Sequence, residues 1–462
     1  MRLKSSTFAE KSMDSYKAET KSLLKLAIPI IFTQLAVILM GITDNLVVGR
    51  LLGPIALDIS GIANSIGFTI ASFGVGGLTV VSPMISKAKT EGNFAEINKL
   101  YRATQLTVLV FIAITFILGG LALYKFDFFG QSAEIAEKSP SFLFIILVSN
   151  VPLFYFVAAR QFTDGLSDTK VVMFISTIAI FVNLGLNFVF IKGFGPIPSL
   201  GINGSAYATL CARTFMMLAL FVYIANKKQY IPYFNKDYKL LSVKDLTFSI
   251  SKVSFFTGCQ FFFEVAAFSI ANIMMGWLGN DRLAAHLIVL NVASTTYMMA
   301  TGLSIAGSIR VGRARGLQSV SAIRVAANTS LIATIIFMSV MAILMYVLKE
   351  EILTAYIQDQ EVIKIGFSLI IVGAMFQLSD GIQSTSISLL RGMGDVKIPT
   401  ILTFVAYWLV ALPMGYWLSF TKKMDAQGIW IALFVGLTAS AIFMTYRFYH
   451  LLSKTKFDEN RA

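Results

Sequence analysis

The sequence predicts an all-α polytopic membrane protein: twelve transmembrane helices in two six-helix lobes related by a pseudo-two-fold along the membrane normal. Three observations predict it. The 462 residues are 56% hydrophobic, with mean hydropathy +0.73, which is too apolar for a water-soluble domain. Apolar runs of the roughly 20 residues needed to cross a bilayer recur along the whole chain, while the alternating runs of about ten residues that mark a β-barrel are absent. The second half of the chain also echoes the first.

Taken in order, the first six spans are read at 24–48, 54–84, 98–122, 140–160, 169–192 and 200–226, and the second six at 250–278, 282–308, 324–348, 364–390, 396–420 and 428–452. The most polar interior stretch, Lys227 to Lys244, reads as a surface linker between two lobes. The expected organisation is a tail at 1–23, an N-lobe at 24–226, a linker at 227–249, a C-lobe at 250–453 and a tail at 454–462. The first 23 residues are polar and mixed in charge, so the first hydrophobic span is expected to act as an uncleaved signal.

The net charge of +13 raises the question of a nucleic-acid partner. Position answers against it. Lys and Arg gather in the N-terminal tail, after the second span (Lys87, Lys89, Lys99, Arg102), in the linker (Lys227, Lys228, Lys236, Lys239, Lys244) and after the eighth span (Arg310, Arg313, Arg315, Arg324). With twelve spans all these lie on one side, and the opposite loops carry only Arg50, Lys192 and Arg282. Both termini are therefore expected in the cytoplasm of a bacterial-type inner membrane. Cys211 and Cys259 fall inside spans and read as ordinary buried thiols rather than a disulfide framework.

The repeat has three parts. Asp164-Gly-Leu-Ser-Asp168-Thr-Lys170 follows the fourth span, and Arg391-Gly-Met-Gly-Asp395-Val-Lys397 follows the tenth, with Gly, Asp and Lys at identical spacing. Gly77-Leu78-Thr79 through Lys87-Ala88-Lys89 returns as Gly302-Leu303-Ser304 through Arg313-Ala314-Arg315. Gln34 pairs with Gln260. An even number of spans per copy means both copies enter the membrane in the same sense, and in transporters sites lie near the midplane of such repeats.

The residues that could carry chemistry are few. Phe255 to Gly279 is a long apolar stretch interrupted by one charge, Glu264, near mid-depth. A charge there costs about 2.5–3.5 kcal/mol on insertion scales and is expected to face a cavity or a partner. Asp380, about 16 Å from the cytoplasmic end of the tenth span, lies at similar depth. These two carboxylates are expected to share one cavity and to bind a cation between them. Asp44 lies higher in the first span, about 28 Å above Lys25, and Asn183 and Asn187 share a helix face from which they could hydrogen-bond it. His286 reads as a satisfied polar group, since no His cluster has zinc spacing. Asp58 and Asp164 read as capping or interfacial residues. Arg213 and Lys252 are basic residues within spans, read as lying near ends or unplaced, so that the central charges are acidic. No phosphate-binding Gly-rich loop and no Ser nucleophile elbow occurs, which leaves an ion gradient as the energy source of any pump.

These residues resemble the multidrug and toxic compound extrusion (MATE) transporters, most closely the NorM-like branch, over about residues 20–450. The resemblance is carried by Pro29–Gln34, Met40-Gly41 and Asp44 to Gly49; by Gln260 and Phe263-Glu264-Val265; by Ala284-Ala285-His286 with Asn291; by Arg310-Val311-Gly312; and by Phe376-Gln377, Asp380-Gly381 and Leu390-Arg391-Gly392. It implies a V-shaped cavity between two lobes and export of cationic amphipathic drugs or dyes in exchange for Na⁺ or H⁺. It also implies that Glu264 and Asp380 match the C-lobe cation site, with Asp44, Asn183 and Asn187 in the N-lobe cluster. Gln260 joins the expected binding residues. One departure is Phe376, where some relatives carry a Tyr whose oxygen could meet Na⁺.

The expected function is thus a secondary active antiporter, a monomer in lipid with no tightly bound cofactor, no nucleic-acid partner and no enzymatic activity. Within transport the alternative is a flippase for lipid-linked precursors, which would want basic groups in the cavity. From other classes come an intramembrane aspartyl protease with Glu264 and Asp380 as its dyad, and a gradient-independent channel or receptor.

Overall fold

The structure, a computed structural model, describes residues 3–126, 133–235 and 242–457, the side chains of 3–14 and 133 excepted. Parts of both expected tails and of the linker, including Lys236 and Lys239, lie outside the described residues.

Twelve helices are long and apolar enough to span a membrane. They are α1 (Ser15–Leu52), α2 (Pro54–Thr90), α3 (Phe94–Tyr124), α4 (Glu134–Gly165), α5 (Lys170–Lys192), α6 (Ile202–Asn226), α7 (Lys244–Leu278), α8 (Asn280–Gly316), α9 (Val320–Val347), α10 (Gln360–Met393), α11 (Lys397–Thr421) and α12 (Asp425–Lys454). Every expected span falls on one of them. In lipid the backbone must satisfy its own hydrogen bonds, which is why the chain is nearly all helix. Ends are set by ordinary signals. Pro54 opens α2, and Asn93 accepts from the Glu96 amide at 3.0 Å to start α3. Asp359 caps α10 through the amides of Glu361 and Val362.

Two features add detail to the expected tail and linker. The helix of the first span starts well before residue 24, so much of the expected tail is a continuous extension of α1. Part of the linker is regular structure. Lys228–Phe234 forms a short 3-10 helix whose Tyr230 and Tyr233 are buried, with Asn98 Nδ2 donating to the Tyr233 carbonyl at 2.8 Å.

The chain divides into two compact units, one comprising Phe32–Phe262 and the other Phe263–Ala462 together with the chain up to Ile31. The division falls within α1 and within α7. In the second unit the N-terminal part of α1 packs Leu23, Leu26, Ala27 and Ile30 on Leu303, Ala306 and Ile309 of α8. A side chain at Gly302 would collide with Ile31. In the first unit the matching glycine, Gly77, sits against Phe111 and the Ser254 carbonyl of α7. The repeated Gly-Leu-Thr/Ser thus marks, in each unit, where a half-helix from α1 or α7 lies closest. Small residues at such crossings let backbones approach where lipid offers no hydrophobic drive.

The other repeat is also structural. Gly165 at the end of α4 faces the Ser82 carbonyl, which would lie 2.6 Å from an added Cβ, and Gly392 at the end of α10 faces the Ser308 carbonyl at 2.9 Å. Both helices then end in the same C-cap. Asp168 N bonds Thr163 O at 2.8 Å around Ser167 (φ +65°), and Asp395 N bonds Leu390 O at 2.9 Å around Gly394 (φ +81°). Lys89 Nζ donates to the Leu166 carbonyl at 2.6 Å, and its counterpart Arg315 donates to the Gly392 carbonyl at 3.1 Å.

Three smaller expectations are corrected. Cys211 is exposed and Cys259 only half-buried, both free. Asp164 is neither interfacial nor a cap: it is 1% exposed and takes the Arg160 guanidinium at 3.1 Å, while Arg160 also donates to Gln34 Oε1 at 3.0 Å. Arg213 lies mid-helix, as described next.

Candidate functional site

In the unit that holds the C-terminal half, Glu264 on α7 and Asp380 on α10 are both buried, at 8% and 5% exposure, and Asp380 feels the charge of Glu264. Neither points outward as a lipid-facing side chain would. Tyr297 of α8 donates its hydroxyl to Glu264 Oε1 at 3.2 Å, and the charge of Arg391 acts on the same carboxylate. A π-helical stretch in α11, Val405–Ala411, turns Tyr407 into the core, where its hydroxyl donates to Gln383 Oε1 at 3.2 Å. The next residue, Trp408, donates its indole N–H to the Phe263 carbonyl at 3.0 Å, one residue before Glu264. Such wide turns inside helices are frequent at functional sites. The groups offered here are oxygens and one guanidinium. Among the described residues no cluster of three His, Cys, Asp or Glu side chains could hold a metal ion.

His286 has both ring nitrogens occupied. Trp430 donates to Nδ1 at 3.0 Å, so the proton sits on Nε2, which faces Asn272 Oδ1 at 2.6 Å. It is a satisfied core histidine. Phe376 packs edge-on to Trp430 and Phe268, with centroids 5.7 and 6.1 Å apart, so it fills the aromatic core beside the carboxylates.

In the other unit Asp44 of α1, Asn183 and Asn187 of α5 come together. Asn187 Nδ2 lies 2.7 Å from Asp44 Oδ1 and 3.3 Å from Asn183 Oδ1, and Thr209 of α6 donates to Asp44 Oδ2 at 3.1 Å. One turn along α6, Arg213 Nη1 donates to Ser149 Oγ at 2.7 Å and Asn150 Oδ1 at 2.8 Å on α4, and its charge reaches Asp44. Gln260 is buried in this unit, at 1% exposure.

The MatE family profile matches this chain twice, over residues 29–189 and 257–417. The chain belongs to the MatE family. The double match is the internal repeat seen as two copies of one unit. The chain is 31% identical over 450 residues to the multidrug resistance protein NorM of Photobacterium profundum, covering 94% of this chain and 96% of that protein. It is 31% identical to the multidrug resistance protein MdtK of Yersinia pseudotuberculosis, again over 94% and 96%. Among solved structures it resembles the eukaryotic MATE transporter AtDTX14 (TM-score 0.87, 18% identity, 96% and 97% covered). It also resembles a variant of the Vibrio cholerae MATE transporter VcmN (TM-score 0.83, 16% identity, 96% and 99% covered). This chain is therefore a member of the MATE transporters, a family of multi-pass membrane proteins that are not enzymes, and its twelve helices form the two-lobe MATE fold.

For a MATE transporter the two polar clusters are the natural places to look, and sequence reasoning missed half of their members. Thr209 and Arg213 were legible in principle as a polar pair at helical spacing in the sixth span. Ser149-Asn150 was a polar pair at mid-depth in the fourth. Tyr407 and Gln383 carried no signal beyond being polar residues in an apolar helix, and Arg391 stood out only as part of the repeat and of the resemblance, not as a charge acting on Glu264. Arg213 also corrects the expectation that the central charges are all acidic, since it lies about 16 Å into α6 from Ile202.

Proposed function

We propose that this chain is a secondary active antiporter that exports cationic amphipathic compounds in exchange for Na⁺ or H⁺, with Glu264 and Asp380 as the carboxylates where ion and cargo compete. The observation that carries the reading is two buried carboxylates within reach of one another's charge, on helices of a family whose bacterial relatives are named multidrug resistance proteins. Two like charges in low dielectric need compensation. A proton, a Na⁺ or a cationic drug each supplies it, and if these fillings exclude one another the inward gradient of the ion drives the drug out. Tyr297 steadies Glu264 for each exchange. Asp44, Asn183, Asn187 and Gln260 serve as further polar contacts for ion or cargo. The cargo's apolar body rests on Phe, Met and Ile side chains, which accounts for loose selectivity. Alternating exposure follows from rocking of an N-lobe at 24–226 against a C-lobe at 250–453. The protein acts as a monomer in the inner membrane, both termini cytoplasmic, with no resident cofactor.

The experiment is dye efflux from proteoliposomes with Na⁺ and H⁺ gradients imposed separately. Efflux driven by one gradient, and lost in Glu264→Gln and Asp380→Asn, is the expected result. Efflux that persists after both gradients are collapsed would point to a channel, and normal efflux in either variant would remove the carboxylates from the mechanism. A flippase reading draws support from Arg213, but that cation shares its cluster with Asp44 and so does not give a net positive site for a pyrophosphate.

A further inference from the structure

Tyr407 and Trp408 are neighbours in sequence on α11, yet they reach two different helices. Trp408 Nε1 donates to the Phe263 carbonyl of α7 at 3.0 Å, and Tyr407 Oη donates to Gln383 Oε1 of α10 at 3.2 Å. Each contact lies beside one of the two carboxylates. Phe263 directly precedes Glu264, and the peptide plane that contains its carbonyl also contains the Glu264 Cα. Gln383 comes three residues after Asp380, on the same side of α10. The wide turn brings both side chains to bear. Val405–Ala411 is π-helical, and among the described residues α11 alone contains such turns. Pro413 supplies a cause, since in a regular helix its ring would press on the Leu409 carbonyl four residues back.

The indole is itself held in place. Phe404 stacks on it at 6.0 Å with 16° between the rings, and Phe263 lies edge-on at 6.3 Å. The site-bearing part of α7 needs such a grip, because Phe263 is the first residue of α7 that belongs to this unit. We infer that Trp408 is a positioning residue for Glu264: it fixes the α7 backbone so that Glu264 and Asp380 share one cation, and Tyr407 holds α10 in the same frame. Like charges kept close together gain the most from a cation between them. Carboxylates free to drift apart gain less, so a loosened grip weakens ion binding. The inference rests on the antiport reading above and adds to it the group that sets how tightly the coupling ion is held.

The test compares the full-length wild type with Trp408→Phe, which keeps a ring against Phe263 and Phe404 and loses the N–H. Dye efflux from proteoliposomes is titrated against Na⁺ and against pH. The ion concentration giving half-maximal efflux rises about three- to tenfold in Trp408→Phe, the range for one hydrogen bond, and by a larger factor than the maximum rate falls. Tyr407→Phe moves it in the same direction, and it decides the matter if Trp408→Phe does not insert. An unshifted half-maximal concentration overturns the inference, even where maximum rate and melting temperature fall together; Trp408 is then only a tie between α11 and α7. Hydrogen exchange of the purified protein reads the grip apart from transport. The α7 amides that follow Phe263 exchange faster in Trp408→Phe, and unchanged exchange overturns the inference as well. Wild-type efflux that ignores both gradients is a different result, a failure of the antiport reading itself.

Discussion

Tyr297 donates its hydroxyl to Oε1 of Glu264 across 3.2 Å, joining α8 to α7 at the buried carboxylate. A hydrogen bond to a charged acceptor contributes about 1.5–3 kcal/mol. Tyr297→Phe removes that donor with little change in volume. It should weaken whichever form of the site the hydroxyl supports, so the ion concentration giving half-maximal efflux shifts by about tenfold while the protein still inserts. Glu264→Gln should abolish coupling rather than shift it. Titrating efflux against Na⁺ and against pH in proteoliposomes separates the two outcomes, and an unshifted titration in Tyr297→Phe would make the hydroxyl a bystander.

Gly165 and Gly392 end α4 and α10 at equivalent places, each facing a carbonyl of the neighbouring helix, Ser82 and Ser308. Backbone cannot retreat as a side-chain tip does. Gly165→Ala and Gly392→Ala should therefore each lower stability by about 1–3 kcal/mol, the usual cost of forced overpacking. Gly185→Ala is the control, since nothing lies within 4 Å of its added Cβ, and it should be neutral or gain about 0.5–1 kcal/mol from helix propensity. Thermal unfolding of the three variants in detergent decides it. Equal melting temperatures would mean that the repeated glycine is not there for close approach.

How much of this was legible follows from the physics of each feature. Hydropathy placed all twelve helices because backbone in lipid has few alternatives. The repeat was visible because the same glycine, cap and cation recur wherever the same junction recurs, as Lys89 on the Leu166 carbonyl and Arg315 on the Gly392 carbonyl illustrate. The carboxylates stood out because charges in apolar runs are rare. What stayed hidden was pairing across helices. Nothing in the sixth span says that Arg213 meets Ser149 and Asn150, and nothing near Asp164 says that Arg160 lies against it one turn away, except an i, i+4 spacing that exposed helices share. The helical extension before residue 24 was hidden too, since a helix of polar residues outside the apolar run looks like a tail.

Asp168 follows α4 outside the spans, and its Oδ2 receives Lys227 Nζ at 2.5 Å, Tyr230 Oη at 2.5 Å and Tyr223 Oη at 3.0 Å. Partial burial pushes the carboxyl up, but the donors from Lys227, Tyr230 and Tyr223 outweigh it and hold it below its ordinary value. Folding therefore favours the ionised form. Its contribution is complete above the unfolded carboxylate pKa of about 4 and is lost only as pH falls through the lower folded value. Asp168→Asn should cost about 2 kcal/mol at neutral pH and should reduce the acid-side fall in melting temperature. A pH series of melts on both proteins checks this, and identical acid limbs would assign that fall to other groups.

Glu19 and Arg310 form a two-bond ion pair between the N-terminal end of α1 and α8, through Nε to Oε1 at 2.6 Å and Nη2 to Oε2, with both side chains only 13% exposed. Nearby, Asn328 Nδ2 donates to the Tyr16 hydroxyl at 3.2 Å and accepts at Oδ1 from Tyr449 at 2.6 Å. Together these fasten the start of α1 to its unit. Breaking a buried pair by removing one partner leaves the other charge uncompensated, which costs about 3 kcal/mol or more, whereas removing both costs much less. Glu19→Gln and Arg310→Gln should each lower the melting temperature of the purified protein, and the double variant should lose much less than the two losses added together. Additive losses in that cycle would mean that the two charges act independently. The start of α1 would then be held by the Asn328 contacts and by Leu23, Leu26 and Ile30 against α8.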